Sequence, residues 1–202
     1  MSPSADARDE RHLVDVAKTG DHSALSEIYS LYFPRVYRYV LARTGNVNDA
    51  EDLTEEVFLK MLNAINRFEW RDAPFSAWIF RIAHNAIISQ RRKVGSRGKS
   101  VPLSEALPIG TQGPEESVEQ QLSIREVMRA AEDLPEAQRM VISLRFAAGL
   151  SIAETAEALG KSQGNVKVIQ HKGIVKLREM LLSPEELDKR RKAKNIAKKK
   201  KD

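Results

Sequence analysis

The chain has 202 residues, 42% hydrophobic and 30% charged, with a net charge of +5 and no cysteine. That length allows one large or two small domains with packed cores, and the missing thiols exclude disulfides and thiolate metal sites. No apolar run approaches the roughly 18 residues a membrane span needs. Met1 to Arg11 is polar, unlike a secretory signal, and the four histidines form no ligand cluster by spacing. The expectation is a cytoplasmic protein that neither inserts into a membrane nor carries a cofactor.

Residues 1–20 read as an extension with one short helix, Ala7 to Thr19, whose apolar positions are Leu13, Val14 and Ala17. Gly20 stops it, and Asp21 stands where an N-cap for the next helix belongs. That next helix, His22 to Arg43, carries Leu25, Ile28, Tyr29, Tyr32, Val36, Tyr37 and Val40 at helical spacing. Pro34 marks a kink inside it, and Gly45-Asn46 closes it. The crowd of aromatics reads as core.

Val47 to Asn66 is amphipathic with opposed faces. Leu53, Val57, Phe58, Met61, Leu62 and Ile65 share one side; Asp49, Asp52, Glu55 and Glu56 share the other. An acidic face is repelled by DNA, so it meets either a basic protein surface or water. A short aromatic loop, Arg67 to Pro74, follows. The next helix, Phe75 to Lys93, turns Phe75, Ile79, Ile82, Ala83 and Ala86 inward. Its outer edge carries Trp78, Arg81, Asn85 and Arg92, spaced i, i+3, i+7 and i+14, in one row. Guanidiniums beside an exposed indole suit phosphates and an unstacked base.

From Val94 to Ser117 seven Gly and Pro residues break any helix, which makes residues 94–117 an interdomain linker. Helices resume at about Val118. Leu122, Val127 and Ala130 precede Leu134-Pro135, and Ala137, Val141, Ile142, Leu144 and Phe146 belong to the helix after it. Ser151 and Glu154 have the spacing of a capping box, Ile152, Ala156 and Leu159 line one face, and Gly160 ends that helix. Ser162 caps the next, Gln163 to Leu182, with a buried row of Val166, Ile169, Gly173, Leu177 and Met180. A short helix, a tight turn and a second helix form a helix-turn-helix signature.

The exposed row of that second helix holds Gly164, Lys167, Val168, His171, Val175 and Arg178. Gln163, Asn165, Lys167 and His171 offer donors to base edges or phosphates, Val168 suits a thymine methyl, and Lys172, Lys176 and Arg178 suit flanking phosphates. Gly164 leaves room for close backbone approach. Lys161 to Arg178 holds five basic residues and no acid; Arg67 to Lys99 holds eight against two. The tail, residues 183–202, is Lys-rich and reads as disordered. Nine of its last 14 residues are Lys or Arg, so residues 1–188 carry a net −3. The charge argument for nucleic acid therefore rests on the two local basic zones.

The fold expected is all-α: two small helical domains, 21–93 and 118–182, on a flexible tether. Two stretches of sequence resemble a known family. Asp49-Ala50-Glu51-Asp52-Leu53-Thr54-Glu55-Glu56-Val57-Phe58 and Phe75-Ser76-Ala77-Trp78-Ile79-Phe80-Arg81-Ile82-Ala83-His84-Asn85 resemble region 2 of bacterial RNA polymerase sigma factors, in the two-domain extracytoplasmic function (ECF) group. Leu134-Pro135 to Phe146, Gly149 to Ala156 and Gly164 to His171 resemble its region 4.

The resemblance implies a non-catalytic protein that binds core RNA polymerase through its beta-prime clamp and beta flap, selects promoter DNA and helps melt it. Asp49, Asp52, Glu55 and Glu56 would dock on the clamp. The loop with Phe68, Trp70 and Arg71 would capture a flipped minus-ten base, and Trp78, Arg81, Asn85 and Arg92 would line the melting strand. Gln163, Gly164, Asn165, Lys167, Val168, His171, Lys172 and Arg178 would read the minus-thirty-five element. The linker would thread the RNA exit path, and an anti-sigma protein would hold the chain inactive. The chain departs from the family at Glu55, where Gln is common, and at Ile169 and Gln170, where Arg is common. Two alternatives stand beside this: a stand-alone helix-turn-helix regulator, and a nuclease binding metal through Asp49, Asp52 and Glu56.

Overall fold

A computed structural model of the chain describes residues 5–70, 73–95, 127 and 129–182. The linker beyond Gly95, the Lys-rich tail, Arg71, and Leu122 with the start of its helix lie outside the described residues. Among the described residues the secondary structure is helical: α1 Ala5–Ala17, α2 His22–Thr44, α3 Val47–Ala64, α4 Phe75–Gly95, α5 Glu136–Ile142, α6 Ile152–Leu159 and α7 Gln163–Leu181. A 3₁₀ turn, Ile65–Arg67, follows α3, and a π-helical turn, Ser143–Ala147, follows α5.

Most ends of these helices are set by the residues expected to set them; Asn46, expected with Gly45 to close α2, is the N-cap of α3. Asp21 accepts a hydrogen bond from the Ala24 amide at 2.8 Å, and Asn46 accepts one from the Asp49 amide at 3.0 Å. Each satisfies an amide that the first helical turn leaves without a partner. Gly45 closes α2 at φ 71°, in the left-handed region that favours glycine. Pro34 does not interrupt α2, which runs as one span on both sides of it.

The chain divides into two compact units: Met1–Pro108 with Ser143–Val166, and Ile109–Ile142 with Lys167–Asp202. In the first, α1 and α2 pack together, α3 lies on α2, and α4 packs against both α3 and α6. Val14 of α1, Ile28, Tyr32, Val36 and Tyr39 of α2, Val57 and Met61 of α3, and Phe75, Ile79 and Phe80 of α4 are buried together. Leu144, Ala148, Leu150 and Ala158 join the same core. The expected inward face of α4 holds at Phe75, Ile79, Ala83 and Ala86, while Ile82 is half-buried. A second stripe, Ser76, Ala77, Phe80 and Ile87, is buried as well. Helix α4 has neighbours on two sides, which one-sided periodicity does not report.

In the second unit Ala131, Leu134, Ile142 and Leu177 form a small core with Ala130 and Ile174 beside it. Gly173 is buried; a Cβ added there would stand 2.9 Å from Ile142 Cγ1, so its hydrogen is what lets the helices approach. Four positions expected inside are exposed: Tyr29 (45%), whose ring still meets Phe33 and Phe58, Leu62 (46%), Phe146 (62%) and Met180 (38%). Leu62 lies one residue past Met61 on the helical wheel and turns off the buried stripe. Phe146 follows α5 in the π-helical turn, which shifts its direction from that of a continued α-helix. Met180 lies in the last turn of α7, beyond the buried Leu177.

Candidate functional site

The acidic face forms because Asn46 starts α3 and places Asp49 in its first turn, where negative charge is favoured. Asp52 and Glu55 are exposed, and Asp49 and Glu56 are half-buried. Glu56 pairs with Lys60 one turn on. The misplaced Leu62 and its neighbour Leu59, 60% exposed, stand on this helix in the open. The acids are therefore followed by bare apolar surface, a feature the opposed-face reading missed. Tyr37 is half-buried, and burial, then the Glu51 carboxylate, push its hydroxyl pKa up.

The loop is built on Phe68, which is 5% exposed. Its ring meets Trp70 at 5.0 Å, Phe75 at 5.3 Å and Trp78 at 5.1 Å between centroids. Phe68 is thus the floor of the loop, and Trp70 is its half-buried outer member. Trp70 Nε1 donates to Asp15 Oδ1 at 2.9 Å, and the Arg11 guanidinium lies 5.4 Å from the indole centroid. Trp78, expected as an exposed indole, is half-buried because Phe68 and Phe75 pack against it. Arg81, Asn85 and Arg92 are exposed along the same row.

Contacts between α4 and α6, within the first unit, lie at this row. Ser76, 3% exposed, donates its hydroxyl to the Glu154 carboxylate, and Arg81 donates to the carbonyl of Glu157. On the neighbouring helix, Arg35 Nε donates to the Ala148 carbonyl at 3.0 Å and Arg38 Nε to the Ala147 carbonyl at 3.2 Å. Glu154 also completes the capping box with Ser151. Burial alone would raise its pKa, but hydrogen bonds from Ser76 and Ser151 and the nearby Arg35 outweigh that and hold it below the ordinary carboxylate value.

The turn after α6 is closed by Gly160 at φ 60°, and Ser162 accepts from the Asn165 amide at 3.2 Å to start α7. Gln163, Gly164, Asn165, Lys167, Val168, His171, Lys172 and Arg178 are all exposed, Val168 by 54%. A Cβ at Gly164 would meet nothing within 4 Å. Among the described residues, no three His, Cys, Asp or Glu side chains are grouped so as to hold a metal ion, and no helix is long and apolar enough to cross a membrane.

Residues 28–97 match the family model for Sigma-70 region 2, and residues 130–179 match that for Sigma-70, region 4. The ECF RNA polymerase sigma factor BldN of Streptomyces coelicolor is 35% identical over 183 residues, which cover 89% of this chain and 69% of that protein. The chain belongs to the ECF RNA polymerase sigma factors. SigD of Mycobacterium tuberculosis, a second such factor, is 34% identical over 192 residues, covering 91% of this chain and 90% of its own. The structure of CnrH in complex with the cytosolic domain of CnrY has the same fold (TM-score 0.65, 22% identity, 85% of this chain and 96% of that one). The sigma factor RpoE in complex with the anti-sigma factor NepR, from Bartonella quintana, matches at TM-score 0.63 and 25% identity over 77% of this chain and 95% of that one. This sigma factor directs promoter-specific transcription by RNA polymerase, which sets aside the stand-alone regulator. Its relatives are sigma factors, not catalytic enzymes.

Proposed function

We propose that the chain divides its work among three surfaces. The face of α3 with Asp49, Asp52, Glu55 and Glu56 docks on the beta-prime clamp of core polymerase. The loop at Phe68, Trp70 and Arg71, with Trp78, Arg81, Asn85 and Arg92, takes the minus-ten strand. The exposed row of α7 from Gln163 to Arg178 reads the minus-thirty-five element. Residues 21–93 and 118–182 are the two working domains, 94–117 threads the RNA exit path, and region 4 meets the beta flap. The chain itself makes and breaks no bonds and works in the cytoplasm. Because RpoE is seen with the anti-sigma factor NepR, we extend to this chain an anti-sigma protein partner.

The observation that carries this reading is the opposition of charge within one unit: carboxylates beside exposed Leu59 and Leu62 on α3, and exposed Arg81, Asn85 and Arg92 on α4. An amphipathic acidic face suits a basic protein surface, and a cationic row suits phosphates. Transcription with purified core polymerase tests it. Asp52→Arg should weaken holoenzyme formation about tenfold or more, since like charges at an interface cost several kcal/mol. Trp70→Ala should assemble normally and open promoters slowly. Normal assembly by Asp52→Arg would refute the clamp assignment.

A further inference from the structure

Helix α1 lies outside the residues matched to region 2, which begin at Ile28, yet it reaches the loop. Asp15 Oδ1 accepts the Trp70 indole N–H at 2.9 Å, and Arg11, one turn before it, lies over the indole at 5.4 Å. Residues 11 and 15 are four apart, so both project from one side of α1. The helix is itself fixed on its other side: Val14 and Ala17 are each 1% exposed, and Glu10 accepts a hydrogen bond from the buried Tyr32 hydroxyl. Burial and then Glu10 raise the Tyr32 pKa above the ordinary tyrosine value, so the hydroxyl keeps its proton and remains a donor. Trp70 is thus held at three points: Phe68 against its ring, Asp15 at its nitrogen, and Arg11 over a face.

We propose that Asp15 and Arg11 are positioning residues for promoter opening: α1 presets the Trp70 indole for base capture and adds a cation at the mouth of the loop. The inference rests on the assignment of this loop to the minus-ten strand. An indole on an exposed loop loses rotamer freedom when it stacks on a base. A ring already oriented through its N–H has less to lose, so capture is faster. Asp15 is the orienting acceptor. Its ion pair with Lys18 is long, at 3.9 Å, and partly exposed, which leaves the carboxylate committed chiefly to the indole. Arg11 is exposed, and a guanidinium beside the loop attracts the phosphate next to the captured base.

The test uses holoenzyme reconstituted from core polymerase and the full chain, on a promoter with a fluorescent base analogue in its minus-ten element. Asp15→Ala should slow opening roughly fivefold or more, the size expected from losing a hydrogen bond to a charged acceptor at a partly exposed site. Holoenzyme affinity and thermal midpoint should stay at wild-type values. Asp15→Asn keeps an accepting oxygen and should recover most of the rate. Arg11→Ala should lower the salt dependence of promoter binding by about one phosphate contact. Wild-type opening in Asp15→Ala, while Trp70→Ala is slow, would overturn the role of α1 and leave the loop assignment standing. Faster opening in Asp15→Ala would also overturn it, since α1 would then restrain the loop. Wild-type opening in Trp70→Ala would overturn the loop assignment itself, and this inference with it.

Discussion

Glu154 ties the start of α6 to α4, and its removal has a calculable effect. The carboxylate accepts from the Ser151 amide at 2.7 Å and from the Ser76 hydroxyl, while Ser151 Oγ accepts from the Glu154 amide at 3.1 Å. Losing a helix cap costs about 1 kcal/mol. Losing a hydrogen bond to a charged acceptor costs about 1.5–3 kcal/mol, less here because Glu154 is only half-buried. Glu154→Ala should therefore cost about 2 kcal/mol, or roughly 6–10 °C in midpoint for a unit of this size. The pH dependence gives the sharper test. The folded pKa lies below the unfolded one, so the charged carboxylate stabilises the fold above the ordinary carboxylate range. That contribution is lost as pH falls through the folded value. Glu154→Gln, neutral at every pH, should be less stable than wild type at about pH 7 and should converge on it as the pH falls through the lowered carboxylate value. Thermal melts of both proteins across that window decide the matter. A gap of constant size would mean that Glu154 acts by shape alone, and the electrostatic account would be wrong.

Two further outcomes follow from packing. Gly173→Val should cost about 1–3 kcal/mol by overpacking against Ile142, read as an early loss of α7 amide protection in hydrogen exchange. Gly173→Ala should cost less, because the clash is partly offset by about 1 kcal/mol of helix propensity. Phe68→Ala should lower the thermal midpoint of the first unit by the equivalent of about 3–5 kcal/mol, whereas Phe68→Leu should fold and still open promoters. A Phe68→Ala protein with wild-type stability would show that the ring is not the floor of the loop.

Much of the architecture was legible because it is local. As caps, Asp21, Gly45, Ser151, Glu154 and Gly160 each act within four residues of where they stand, and all occupy the positions their chemistry dictates. The apolar stripes of α2 and α3 follow period 3.6, with Tyr29 and Leu62 as the exceptions. The exposure of the candidate residues on helix surfaces was equally readable: Arg81, Asn85, Arg92 and the α7 row are exposed as their spacing indicated. The aromatic loop was harder. Phe68, Trp70 and Trp78 look alike as exposed candidates in sequence. Only the rings that meet in space separate the floor, Phe68, from the half-buried edges.

The contacts that residues 143–159 make with α2 and α4 were not readable, for a physical reason. Arg35 and Arg38 look like solvated cations on α2, and their carbonyl acceptors lie 113 and 109 residues away. No periodicity encodes such a pairing. The same contact bears on Arg81, which the sequence assigned to the promoter strand and which donates here to the Glu157 carbonyl. A guanidinium binds a phosphate more strongly than a neutral carbonyl, because the charge-assisted bond is roughly twice as strong. The Glu157 carbonyl also accepts from the Gly160 amide at 3.3 Å, so it keeps a partner when Arg81 leaves. Exchanging the carbonyl for a phosphate therefore strands no polar group, and the contact with α6 can yield to the strand without a large penalty.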